Sequence, residues 1–346
     1  MTKILTTTGL TALSLTLLMG AAFAQDLTPK AAEPKAEAQE LPTYKPITLT
    51  IDNYVVFDNK GNALSTHELD IVIEGQLGDW LLGVDAWGGL IHDYDANSHT
   101  IEQPGIEFYG INDAVGEIHL WDADAALSNA CIQPTGGTSH FGTEDYLTFG
   151  TCGGYGGKTI LYVTPEFNGF GVQLSASRDL TDQTVNGEVD GSASAALTYA
   201  ATTEGGIDIA ASFGVDAALS VNGGLPSGQN LPVTVQAGVN VGWEDWIFGA
   251  AAQYEFASLN GGDGWGAGIG VSKLITDEFV VMAELSGDGY DLAGVSYRET
   301  SIGVNAEYQI LPNTFIDAAV SLIHRTGSDG TDEFGTVFGA GLSLVF

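Results

Sequence analysis

Residues Phe334 to Phe346 read FGTVFGAGLSLVF, and this stretch decides the fold. Phe338, Ala340, Leu342, Leu344 and Phe346 are apolar at every second position, while Val337, Gly339, Gly341, Ser343 and Val345 between them are small or weakly polar. That two-residue period is a strand with two unlike faces. A strand of this kind at the end of a chain leaves an open edge unless an earlier strand closes onto it, and closure into a barrel is the physical remedy. Its apolar face must meet a second sheet or lipid, because in water it would drive aggregation.

The rest of the chain chooses lipid. From Ile47 onward the alternation recurs: Ile47, Leu49, Ile51, Val55 and Phe57 share one face. Leu69, Ile71 and Ile73 oppose Glu68, Asp70 and Glu74; Val84 and Ala86 oppose Asp85; Ile118 and Leu120 oppose Glu117 and His119. The clearest strand sets Val233, Val235, Ala237, Val239, Val241 and Trp243 against Thr234, Gln236, Gly238, Asn240 and Gly242, then turns at Glu244-Asp245. A soluble sandwich would bury these carboxylates at a cost of several kcal/mol each. The pattern therefore reads as apolar outward to lipid and polar inward to water. Sixteen strands are counted between Ile47 and Phe346, an even number of the kind bacterial barrels have. The fold class is all-β: a transmembrane antiparallel up-and-down β-barrel.

Short turns alternate with longer Gly/Asp/Ser loops, and Trp80, Phe167, Phe170, Trp243, Trp246, Phe279, Phe315 and Phe346 sit beside the short ones. Aromatics at one rim read as an interfacial girdle.

Met1 to Ala24 has the form of an export signal, with Lys3, an apolar run diluted by Thr and Ser, and Ala22-Phe23-Ala24 as the cleavage site. Residues 25–46, rich in Ala, Pro, Glu and Lys, read as a flexible periplasmic leader, which leaves 47–346 for the barrel. No other stretch approaches the length of a membrane helix. Ten Lys and Arg face 44 Asp and Glu, a formal net charge of −34. Such a chain repels nucleic acid and anionic surfaces, so those partners are excluded.

One connection breaks the scheme. Asp122 to Lys158 is too long for a hairpin and too rich in Gly and acid for a strand, and a long loop inside a compact domain is usually functional. A barrel of this size has a lumen its own side chains do not fill. The loop is expected to fold in as a constriction, with Asp122, Asp124, Glu144 and Asp145 in the water path. Cys131 and Cys152, an even pair in an exported chain, are expected to form a disulfide within it; on the chain-entropy picture that bridge stabilises the loop by roughly 3 kcal/mol.

Tyr162-Val163-Thr164-Pro165-Glu166-Phe167-Asn168-Gly169-Phe170 resembles the strand, periplasmic turn and strand that follow the constriction loop of Gram-negative general porins. Gly116-Glu117-Ile118-His119-Leu120 resembles their fifth strand, and Phe346 their assembly signal. The resemblance, to the alphaproteobacterial branch, spans Ile47 to Phe346. It implies a homotrimer of water-filled barrels in the bacterial outer membrane, passing small hydrophilic solutes by passive diffusion. The chain departs from the family in lacking an arginine cluster opposite the acidic loop. Its early strands offer Glu68, Asp70, Glu74, Asp85, Glu107 and Glu117, and Arg178 is the candidate base for the constriction. An acidic lumen is expected to attract cations and repel anions. The competing readings are a solute-specific channel, a barrel enzyme and a non-conducting structural barrel.

Neither GxSxG nor HExxH is present, so no catalytic residue is assigned; Ser321 with His324 is the nearest approach to a rim hydrolase pair, and His119 and His324 are expected to face the lumen. No cofactor or metal site is assigned. Asp93-Tyr94-Asp95-Ala96-Asn97 begins like a calcium loop but lacks its Gly and final Glu; calcium on the acidic outer loops, including Asp329, Asp332 and Glu333, is an expectation.

Overall fold

The computed structural model describes residues 47–59, 62–94, 98–101, 104–134, 152, 158–178, 189–221, 230–256, 263–292 and 294–346. The signal and leader expected over 1–46, Glu144, Asp145 and Asp95 lie outside the described residues.

Along the chain come β1 (Ile47–Asp58), β2 (Ala63–Leu77), β3 (Trp80–Asp93), β4 (Ser98–Ile101), β5 (Gly105–Asn112) and β6 (Gly116–Trp121). A short helix, α1 (Ala126–Asn129), precedes β7 (Lys158–Val163), β8 (Phe170–Arg178), β9 (Val189–Thr202), β10 (Ile207–Val221) and β11 (Val233–Trp243). The chain continues with β12 (Trp246–Phe256), β13 (Gly264–Thr276), β14 (Phe279–Leu292), β15 (Val295–Leu311), β16 (Thr314–Gly327) and β17 (Asp332–Val345). Neighbours pair antiparallel, and β17 pairs with both β16 and β1, so the sheet closes on itself. β3 holds two partners on one edge, β4 against Leu90 to Asp93 and β5 against Leu81 to Trp87. These two share one place in the ring, which therefore has sixteen places, as the alternation predicts.

The closing register follows from the terminal stretch Phe334 to Phe346. Leu342 stands opposite Asn53 of β1 and Ile316 of β16, and Phe346 exchanges backbone hydrogen bonds of 2.8 and 3.1 Å with Leu49. Phe338, Ala340 and Leu342 look outward, while Ser343 is fully buried on the inner face.

The pleat carries this inversion round the whole wall. On the outer face Phe213 (52%), Ile302 (54%) and Ile269 (58%) are more than half exposed. On the inner face Asp52, Asp85, Glu107, Gln236 and Ser343 are buried. A continuous apolar exterior of this extent is stable only against acyl chains.

The short turns are tight where they must be. Asn168 and Gly169 both have positive φ, +52° and +81°, the mirror-image turn that matches strand twist. A Cβ on Gly169 would come within 2.1 Å of the Ala200 carbonyl oxygen, so glycine is required there on two counts. The aromatic rim forms beside these turns: Trp243 faces Trp246 across the β11–β12 hairpin, Phe170 packs 4.6 Å from Tyr199, and the Lys273 ammonium lies 4.4 Å over the Trp246 ring. Phe315 departs from the expected girdle. It is one step out of phase with the outward Ile316 and stands opposite the buried Ser343, so it faces the lumen.

Candidate functional site

Two unlike half-walls enclose the lumen. The first runs from β15 through β16, β17, β1, β2, β3 and β5 to β6, and it is acidic. Glu307 stands directly opposite Asp317, Asp52 opposite Glu68, and Asp85 opposite Glu107. Asp70 and Glu74 continue the inner face of β2, and the Tyr109 hydroxyl donates to Glu74 Oε1 at 2.7 Å. His119 lies between two carboxylates, Nδ1 against Glu107 and Nε2 3.1 Å from Glu117 Oε2. Like charges directly opposed on neighbouring strands repel. Such an arc suits a hydrated surface with mobile cations beside it.

The second half-wall, from β8 to β13, presents mainly small and neutral residues, with Asp190, Asp208, Asp216 and Glu255 as its inward carboxylates. Ser175, Ser194, Gly214, Gly238, Gly249 and Gly268 occupy inward positions on six successive strands. The segment after β6 lies against them. Ala125 at the N-cap of α1 has no side-chain oxygen, so the orphan N–H groups of the first turn need other acceptors. The wall supplies them: Ala126 N donates to Ser175 Oγ and Leu127 N to Ser194 Oγ, both at 2.8 Å. Asn129 Nδ2 donates to Gln173 Oε1 at 2.6 Å. Further on, Ile132 lies over Gly238 and Pro134 over Gly249 and Gly268. Ala123, Ala126 and Leu161 form the small apolar cluster under this segment, with Val163 packed on it.

The root of the inserted segment is clamped. Trp121 adopts φ +86°, a left-handed conformation costly for a bulky residue, and there the chain leaves the wall. Asp122 N donates to the Ile106 carbonyl at 3.1 Å, and Asp122 Oδ2 accepts from Ile106 N at 2.9 Å. Lys158, where the loop rejoins the wall, pairs with Asp122 and lies 5.4 Å over the Trp121 ring. The two ends of the loop are thus fastened to each other. Cys131 and Cys152 form a disulfide with Cα atoms 5.8 Å apart, and the Gln236 amide on β11 contacts both sulfurs, that of Cys152 at 3.5 Å.

The six wall carboxylates read from sequence, Glu68, Asp70, Glu74, Asp85, Glu107 and Glu117, all occupy inner-face positions. Of the constriction residues, Asp122 is engaged in the root clamp and Asp124 lies beside it within the loop. Burial and the neighbouring charge of Glu107 push the Asp124 carboxyl up to about 7. Arg178 alternates in phase with the outward Val172 and Leu174 and ends β8 at the rim, 3.8 Å from Asp190. It therefore does not face the acidic arc. Arg325 is the lone Lys or Arg side chain at an inner-face strand position among the described residues, and it pairs with the fully buried Glu299 directly opposite. Its phase against the outward Val320 and Leu322 was available in the sequence, as were those of Asp52, Glu307 and Asp317.

His324 departs from the expected lumen position. It shares the outward phase of Val320 and Leu322, stacks 4.3 Å from Phe334, and lies 2.9 Å from Asp332. Ser321 is three positions away in the same strand and hence on the opposite face, so the pair does not meet. Among the described residues no three His, Cys, Asp or Glu side chains converge to hold a metal ion.

A family profile described as Gram-negative porin matches residues 57–328. A search of curated proteins finds no match. Among solved structures, an anion-selective porin from Comamonas acidovorans is 14% identical with a TM-score of 0.62, covering 87% of this chain and 98% of that one. OmpT of Vibrio cholerae is 12% identical with a TM-score of 0.58, covering 89% and 100%. Pseudomonas aeruginosa OpdK with vanillate is 13% identical with a TM-score of 0.52, covering 87% and 98%. At such identities these likenesses speak for the fold.

Proposed function

We infer the function from one premise: the chain belongs to the Gram-negative porin family, and is a channel of the bacterial outer membrane, not an enzyme. From it we propose a water-filled pore for passive diffusion of small hydrophilic solutes that prefers cations. The carrying observation is the pairing of Asp52 with Glu68, Asp85 with Glu107 and Glu307 with Asp317 on one continuous arc. The described part of the inserted segment, up to Pro134, lies against the opposite half-wall, and this supports reading the open path as a crescent along the acidic arc. Arg325, the inner-face base, is matched by Glu299 and leaves no net positive patch to draw anions. The anion selectivity of the Comamonas acidovorans porin belongs to that protein; among the described inner-face residues of this chain, carboxylates outnumber bases. Fixed carboxylates lower the energy of a cation in the pore and raise that of an anion. The family resemblance adds a homotrimer as the assembled form.

The test is the reversal potential of the purified protein in a planar bilayer under a potassium chloride gradient. A potential of the sign set by potassium supports the reading, and one set by chloride overturns it.

A further inference from the structure

We propose that Gly238 on β11 and Gly249 on β12 are positioning residues that fix how far the inserted loop stands off the wall, and so set the width of the conducting crescent. The inference rests on the channel reading and adds to it the wall positions that control the aperture.

The observation is a close approach of backbone to wall at these two places. A Cβ on Gly238 would lie 2.8 Å from Ile132 Cβ and 2.9 Å from the Ile132 carbonyl oxygen. On Gly249 it would lie 2.1 Å from the Pro134 carbonyl oxygen and 2.7 Å from its carbonyl carbon, as well as 2.1 Å from Asn240 Oδ1. Real side chains do not tolerate such distances, and the loop contacts are backbone or branch-point atoms that cannot rotate away. Gly214 differs: the loop atom nearest its Cβ is the Leu127 Cδ1 tip, at 2.5 Å, which a rotamer change can move.

The loop is held against this seat rather than merely lying on it. Upstream, the hydroxyls of Ser175 and Ser194 accept the first N–H groups of α1. Beside Ile132, Gln236 anchors the disulfide from the same strand as Gly238. With α1 and the Cys131–Cys152 disulfide held to the wall beside the contact, a methyl group at residue 238 or 249 is accommodated by lifting the Ile132 to Pro134 segment off the wall. That displacement is directed across the lumen, towards Asp52, Asp85 and Glu107. The path narrows while the ladder of the barrel is untouched.

The experiment compares Gly238→Ala and Gly249→Ala with Gly335→Ala by single-channel recording of the full chain in planar bilayers. Gly335 is a strand glycine on the inner face of β17 with nothing within 4 Å of its Cβ position, so it reproduces the substitution without the contact. Barrel integrity is read independently from the heat-modifiable electrophoretic mobility. The expected result is a loss of unit conductance in the first two variants and wild-type conductance in the third, with folded mobility in all. Wild-type conductance in folded Gly238→Ala and Gly249→Ala protein overturns the inference and leaves the channel reading standing. A wild-type chain that does not conduct at all overturns both. Should neither glycine variant fold, the double substitution Ser175→Ala with Ser194→Ala adds no bulk and frees α1, the anchor that leads into the Ile132 to Pro134 segment; a flickering current supports the proposal and a steady wild-type current overturns it.

Discussion

At the scale of single residues, Asp124 carries the pore's expected pH response. Its carboxyl is pushed up to about 7 first by burial and then by the charge of Glu107. A raised carboxyl is protonated and neutral below that pH and ionised above it, so it adds a negative charge beside the arc only as pH rises through about 7. The proposed preference for cations should therefore strengthen across that window. Reversal potentials taken on either side of it measure the step, and Asp124→Asn should remove the step while leaving the barrel folded. A step that persists in the variant would assign it elsewhere on the wall.

At the scale of elements, the inserted loop depends on its root. The Lys158–Asp122 pair is largely shielded, each side chain 19% exposed, and Asp122 also accepts a hydrogen bond from Ile106 N. Removing the cation with Lys158→Met leaves a poorly solvated carboxylate, a more damaging change than losing a surface pair. The expected outcome is faster proteolytic nicking between residues 122 and 158 with unchanged folded mobility of the barrel; equal nicking rates would show that the disulfide and the wall contacts hold the loop without the clamp. The contrast between wall and loop also explains what sequence could tell. Strand phase is local, so the inward Glu68, Asp70, Asp85 and Glu117 could be read from their neighbours alone. Arg178 departs from the expected constriction role because phase and not charge sets the face: it alternates with Val172 and Leu174 and faces outward. His324 departs from the lumen for the same reason. The seat on Gly238 and Gly249 was illegible, because it depends on which side of the lumen a distant segment lies, and no periodicity encodes that. The glycines of β11 and β12 read simply as small inward residues.

At the scale of the whole molecule, β17 pairs with both β1 and β16 and closes the ring of strands, and closure of this kind is what lets a sheet meet its backbone hydrogen bonds within hydrocarbon. Closure of the ring also fixes where the charge goes. The directly opposed carboxylate pairs gather on the arc from β15 to β6. Glu284 and Asp288 on β14 and Asp216 on β10 add inward acid elsewhere, and Arg325, the inner-face base among the described residues, is paired with Glu299. This one-sidedness of sign makes the pore a fixed-charge medium. On the proposed cation-preferring reading, mobile cations supplied by the bath accumulate inside to balance the wall, in the manner of a Donnan compartment. When the bath is diluted until the Debye length of about 30 Å at 0.01 M exceeds that of about 10 Å at 0.1 M, the whole bore lies within reach of the wall. Conductance measured against salt should then level off at a floor instead of falling in proportion, because the carriers at that point are the ones the protein has recruited for itself.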